Sequence, residues 1–120
     1  MSYPSSHHIK IAAAIVAGFF MASPANAGGN VTKGAEIFGG TCVACHGEDG
    51  KGAFPGVPDF TQPDGRLSKS DSVLIKHITN GFESPGADMA MPELGGNEDL
   101  TEQDVKDVLA YLRATFQPKK

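Results

Sequence analysis

The run Cys42-Val43-Ala44-Cys45-His46 constrains this chain more than any other stretch. Cys-x-x-Cys-His is the spacing of covalent c-type haem attachment. On one helical turn, residues three and four apart share a face, so Cys42, Cys45 and His46 point the same way. Two thioether bonds can then form to the porphyrin edge while the imidazole reaches the iron. Other uses of Cys-x-x-Cys fit less well. A four-ligand zinc site needs more thiols or imidazoles, and the chain has only two cysteines. A thioredoxin-like dithiol belongs to a βαβ pattern, which is missing. A disulfide across three residues would close a tiny loop and stabilise little.

The amino-terminal region reads as a leader. Lys10 precedes an apolar run from Ile11 to Met21, and Ala25-Asn26-Ala27 offers a small-x-small cleavage site. Charged start, short apolar middle and small-residue end describe a secretory signal peptide over residues 1–27, with export to the periplasm as its consequence. The run is too short to span a bilayer, which takes about twenty residues, so no stable membrane insertion is expected, although an uncleaved anchor is the alternative. Residues 28–120 form the single folded domain. Of the 120 residues, 15 are glycine and 8 proline, and none is tryptophan. So modest a core gains from a buried macrocycle. The formal charge of −4 becomes one unit more negative once the leader and its Lys10 are gone. That balance argues against nucleic acid and anionic membranes and suits a partner with a basic docking surface.

The pattern along the rest of the chain is helices separated by long loops. Asn30 or Thr32 can cap a first helix over Thr32 to Phe38, which Gly39-Gly40 is expected to end. Gly34 is costly there, by about 1 kcal/mol against alanine, unless another helix approaches closely. Residues 47–66 form a Gly/Pro-rich loop of a length that is usually functional. A haem histidine needs its second ring nitrogen held by an acceptor, and the Pro58 carbonyl is favoured over that of Pro55. Ser68 or Ser70 opens a helix reaching Asn80, with Leu74, Ile75 and Ile78 as its stripe and Gly81 as its stop. His77 on this helix reads as a solvated or propionate-side residue rather than an iron ligand. In the loop 82–96, Met89 and Met91 sit two apart, and thioether with imidazole is a known axial pair. Residues two apart share a face in extended chain, so spacing alone does not choose between them. Thr101 and Asp104 make a capping-box pair for a last helix, whose Val105, Val108, Leu109 and Leu112 follow helical periodicity and which Pro118 stops.

From Gly34 to Leu112 the chain resembles a class I, mono-haem cytochrome c of the small bacterial type. The resemblance rests on Gly34 and Phe38, on Cys42-Val43-Ala44-Cys45-His46, on Pro58, on Met91-Pro92 and on Val108-Leu109-Ala110-Tyr111-Leu112. It implies an all-α cytochrome c fold, three to four short helices and long loops wrapped around one haem c. Cys42 and Cys45 would carry the thioethers, His46 would be the proximal ligand and Met91 the distal one. Pro58 would accept from the ring of His46, and Arg66 would serve a propionate. Gly34 and Phe38 would meet Tyr111 where the first and last helices cross. The implied function is that of a soluble periplasmic one-electron carrier, a monomer working between redox protein partners and not an enzyme. The alternative is a haem c subunit of a larger periplasmic dehydrogenase or oxidase complex.

Overall fold

In the computed structural model, residue 18 and residues 28–120 are described; the leader expected at 1–27 therefore lies outside the described residues, Gly18 apart. The frame is a crossing of the first and last helices. Helix α1 covers Val31–Ile37, and its cap is Asn30, whose side chain accepts from the Lys33 amide at 3.0 Å. Of the two caps the sequence offers, Asn30 is the one used. The last helix, α4, covers Glu102–Phe116. It starts in the expected capping box: the Thr101 hydroxyl accepts from the Asp104 amide, and the Asp104 carboxylate accepts from the Thr101 amide. Its four periodic residues, Val105, Val108, Leu109 and Leu112, are all buried.

Gly34 shows why α1 tolerates a poor helix former. A Cβ there would overlap the Asp107 carbonyl oxygen and lie 2.8 Å from Tyr111 Cβ. The missing side chain lets the two backbones touch, and the rings of Phe38 and Tyr111 then pack at 5.3 Å. Phe116 completes this aromatic cluster, 5.5 Å from Phe38 and 5.9 Å from Tyr111.

Gly39-Gly40 does not end the first helix. The chain continues through a π-helical turn, Phe38–Cys42, into helix α2, Val43–His46. The Val43 amide donates to the Phe38 carbonyl, five residues back. Neither glycine takes a left-handed conformation, so nothing breaks the spiral. The wide turn instead inserts an extra residue, a feature often found at functional sites.

Helix α3 spans Asp71–Asn80, with Ser70 before it and Leu74 buried beneath it. It ends at Gly81, φ +76°, where a Cβ would sit 2.7 Å from the Met91 carbonyl oxygen. Glycine here both stops the helix and admits the returning loop. That loop pairs back on itself: Phe82 and Met91 exchange backbone hydrogen bonds of 3.0 and 2.8 Å. Two short 3-10 turns, Arg66–Ser68 and Glu93–Gly96, complete the elements. Arg113 of α4 fastens the segment before α3. Its guanidinium donates to the carbonyls of Leu67 and Lys69, both at 2.8 Å, and pairs with Asp71.

Candidate haem site

The elements close around one cavity that reaches from α2 to the loop before α4. Cys42, Cys45, His46, Pro58, Arg66 and Met91 all line it, with Met89 and His77 beside them. Six residues scattered over fifty positions of sequence are thus brought to one place. The walls are otherwise apolar, with Phe38, Leu67, Leu74, Val108, Leu109 and Leu112 among them. Such a lining suits a large flat apolar group with few polar contacts.

The attachment motif is held from behind. The loop after it folds back, and the amides of Gly52 and Ala53 donate to the His46 and Cys45 carbonyls, each at 2.8 Å. Gly47 makes the sharp exit with φ +76°. The two thiols are free, Cys45 exposed and Cys42 partly covered. Burial, and secondarily the neighbouring Cys45, push the Cys42 thiol up to about 11. His46 is 9 % exposed, and burial holds its imidazole neutral by lowering its pKa. A neutral imidazole is the form that binds a metal.

The expected bond from the His46 ring to the Pro58 carbonyl is not made in this structure. Nδ1 of His46 is enclosed without a partner. Its ring is instead positioned by Phe60, which stacks on it at 4.7 Å with planes 18° apart. Phe60 is held by the turn around Asp59, whose carboxylate accepts from both the amide and the hydroxyl of Thr61. The Phe60 amide also donates to the Gly50 carbonyl at 2.8 Å. Nothing in the sequence marks Phe60 out beyond its place two residues after Pro58.

The loop opposite distinguishes its two methionines. Met91 is partly buried and paired to Phe82 through its backbone, whereas Met89 is 63 % exposed. Arg66 lies at the rim, donating to the Ser84 hydroxyl at 2.9 Å with its guanidinium 4.6 Å from the centre of the Phe82 ring. It has no carboxylate partner among the described residues. His77 stacks on the same Phe82 ring at 3.9 Å, with its Nδ1 enclosed and unpartnered. Burial, then the charges of Arg66, Lys69 and Lys76, lower its pKa. Of the two places expected for it, solvent or the propionate side, its position beside Arg66 in the lining corresponds to the second, and the two make a polar corner in an apolar wall.

These residues fit a haem: two thiols and an imidazole from the attachment helix, a thioether from a distant loop lining the same cavity, apolar walls, and cationic or donor groups for carboxylates. Comparison with known proteins agrees. Residues 31–116 match the Cytochrome c family. Cytochrome c-555 of Prosthecochloris aestuarii is 29% identical over 85 residues, covering 69% of this chain and 85% of that protein. The FixP subunit of a cbb3-type cytochrome c oxidase, from Bradyrhizobium sp., is 39% identical over 92 residues, which are 76% of this chain but only 29% of FixP. Among solved structures, cytochrome c6 from the diatom Phaeodactylum tricornutum superposes with a TM-score of 0.52 at 28% identity, over 72% of this chain and 93% of that one.

Proposed function

The chain belongs to the cytochrome c family, and from that premise we propose that it is a periplasmic, soluble one-electron carrier with His46 and Met91 as axial ligands. It carries one haem c, attached through Cys42 and Cys45, and is not an enzyme. The finer assignment rests chiefly on one observation: the attachment helix and the Phe82–Met91 pairing open into the same apolar cavity. When bound, the haem iron supplies a reversible ferric/ferrous couple.

The chain's own residues set the conditions for that couple. His46 and Met91 would both hold the iron and so leave no position on it for a substrate. Thioether ligation raises the potential, and dry apolar walls disfavour the extra positive charge of the oxidised form. Arg66 would offset the charge of the haem carboxylates, with the His77 imidazole beside it, while Pro58 lines the same cavity. No helix among the described residues is long and apolar enough to cross a membrane.

Charge suggests how partners dock. Between His77 and Val105 there are seven acidic residues and no lysine or arginine. The exposed Met89 sits within this acidic stretch at the cavity mouth. A partner with a basic rim around an apolar spot would be steered there, with rates that fall as salt rises.

The ligand assignment is tested by comparing Met91→Ala with Met89→Ala in the exported holoprotein. Met91→Ala is expected to change the visible spectrum to high spin or to another ligand and to lower the midpoint potential, with Met89→Ala close to wild type. The reverse outcome would transfer the role to Met89. Immediate carbon monoxide binding by the reduced wild type would show an open position and defeat the carrier reading.

A further inference from the structure

Asp107 of α4 is a buried carboxylate, 5 % exposed, that is not part of the haem-cavity lining. Its Oδ1 accepts from the Asn30 amide at 2.8 Å and from Gln103 Nε2 at 2.9 Å. No cation pairs with it among the described residues. Its neighbour Lys106 is turned to Glu102 at 2.9 Å, and Lys33 lies against Glu36. Buried carboxylates without a countercharge are costly. Beside Asp107 lies an open hollow lined by Gly29, Asn30, Gln103 and Asp107 itself.

The chain segment that borders this hollow is the one a leader cut would expose. A Cβ on Gly29 would sit 2.5 Å from the Lys106 carbonyl oxygen, so the bare backbone there lies flat on α4. Gly28 before it is exposed, with nothing within 4 Å of where a Cβ would stand. Two residues of chain span no more than about 7 Å. The nitrogen of Gly28 is therefore within that distance of the Asn30 amide, which already bonds Asp107.

We propose that the amino terminus freed by removal of the leader is a ligand of Asp107: the Gly28 ammonium folds into the hollow, pairs with the carboxylate and clamps α1 onto α4. The inference rests on cleavage after Ala27. It makes processing a step in stabilising the fold. A longer amino-terminal segment would carry its ammonium elsewhere and leave the carboxylate without a countercharge.

The test uses exported holoprotein beginning at Gly28, with its terminus free or selectively acetylated, in wild-type and Asp107→Asn backgrounds. Acetylation should raise the unfolding equilibrium constant about 5- to 10-fold in wild type, with no change in the visible spectrum, and should have little effect in Asp107→Asn. In the wild type alone, pH-dependent labelling of the terminal amine should give a pKa above the usual value of about 8. That measurement decides the matter if Asp107→Asn does not fold. An unchanged stability on acetylation, an equal loss in both backgrounds or an ordinary amine pKa would overturn the pairing. An exported chain whose mass shows another first residue would overturn the leader boundary and the assignment in the cell, while the acetylation result would still judge the pairing in the Gly28-starting protein.

Discussion

Gly34 is the residue with least freedom to change. Its missing side chain is where the Asp107 carbonyl passes, so any Cβ must push α1 away from α4. Forced overpacking costs about 1–3 kcal/mol, and backbone offers less give than a side chain. We expect Gly34→Ala to lose about 3 kcal/mol in denaturant unfolding, although alanine is the better helix former. A gain in stability would mean the helices do not cross there. Asp59 makes a different kind of contribution. Bonds from the Thr61 side chain and amide, then Gln62, hold its carboxyl below the ordinary 3.8. A carboxylate whose folded value is depressed stabilises fully above its unfolded value, and loses that effect as pH falls through the folded one. Asp59→Ala should therefore be less stable than wild type at neutral pH, and the two should converge as pH drops below about 4. Acid titration followed by the visible spectrum checks this. A gap that stays constant with pH would show that the ionised form is not what matters.

At the scale of elements, the helices were legible where periodicity and capping agreed. The α4 pattern of Val105, Val108, Leu109 and Leu112 and the Thr101–Asp104 box were each readable from local sequence. So was the crossing of α1 and α4, because Gly34, Phe38 and Tyr111 had a resemblance to tie them together. The π-turn at Phe38–Cys42 was not legible, since glycine pairs ordinarily signal termination and only tertiary packing decides otherwise. The same holds for the site. Cys42, Cys45 and His46 declare themselves by spacing, whereas Phe60 acts on His46 through a stacking contact that no local pattern encodes. For His77 the sequence leaves solvent and the propionate side both open, because its helix position says nothing about the loop that brings Phe82 over it. The helix crossing carries its own prediction. Tyr111→Ala removes a ring that contacts both Phe38 and Phe116, and such truncations cost about 3–5 kcal/mol. The melting temperature should fall while the ligand-sensitive spectrum stays unchanged, because Tyr111 lies outside the cavity wall. An unaffected melting temperature would remove the aromatic cluster from the stability argument.

For the molecule as a whole, core and cofactor site are one object. Phe38, Phe60, Leu67, Leu74, Val108, Leu109 and Leu112 belong to the buried cluster and also line the cavity. In most domains of this size the core closes on itself, with a binding site at its edge. Here the same side chains would face an unfilled space without the haem, and a cavity forfeits both transfer free energy and packing contacts. The helices cannot compensate. α1 has 7 residues, α2 has 4 and α3 has 10, short of the dozen or so that make an isolated helix even marginal, and α4 with 15 only reaches that margin. The loops between them are rich in glycines at positive φ, which gain most entropy on unfolding. The chain produced without haem, with Cys42 and Cys45 both changed to alanine, should therefore show much less helix in the far ultraviolet and no cooperative thermal transition. The haem-loaded protein should melt in one step. A cooperative transition in the haem-free chain near that of the loaded one would show that side-chain packing alone closes this fold, and that the haem is lodged in a structure it does not build.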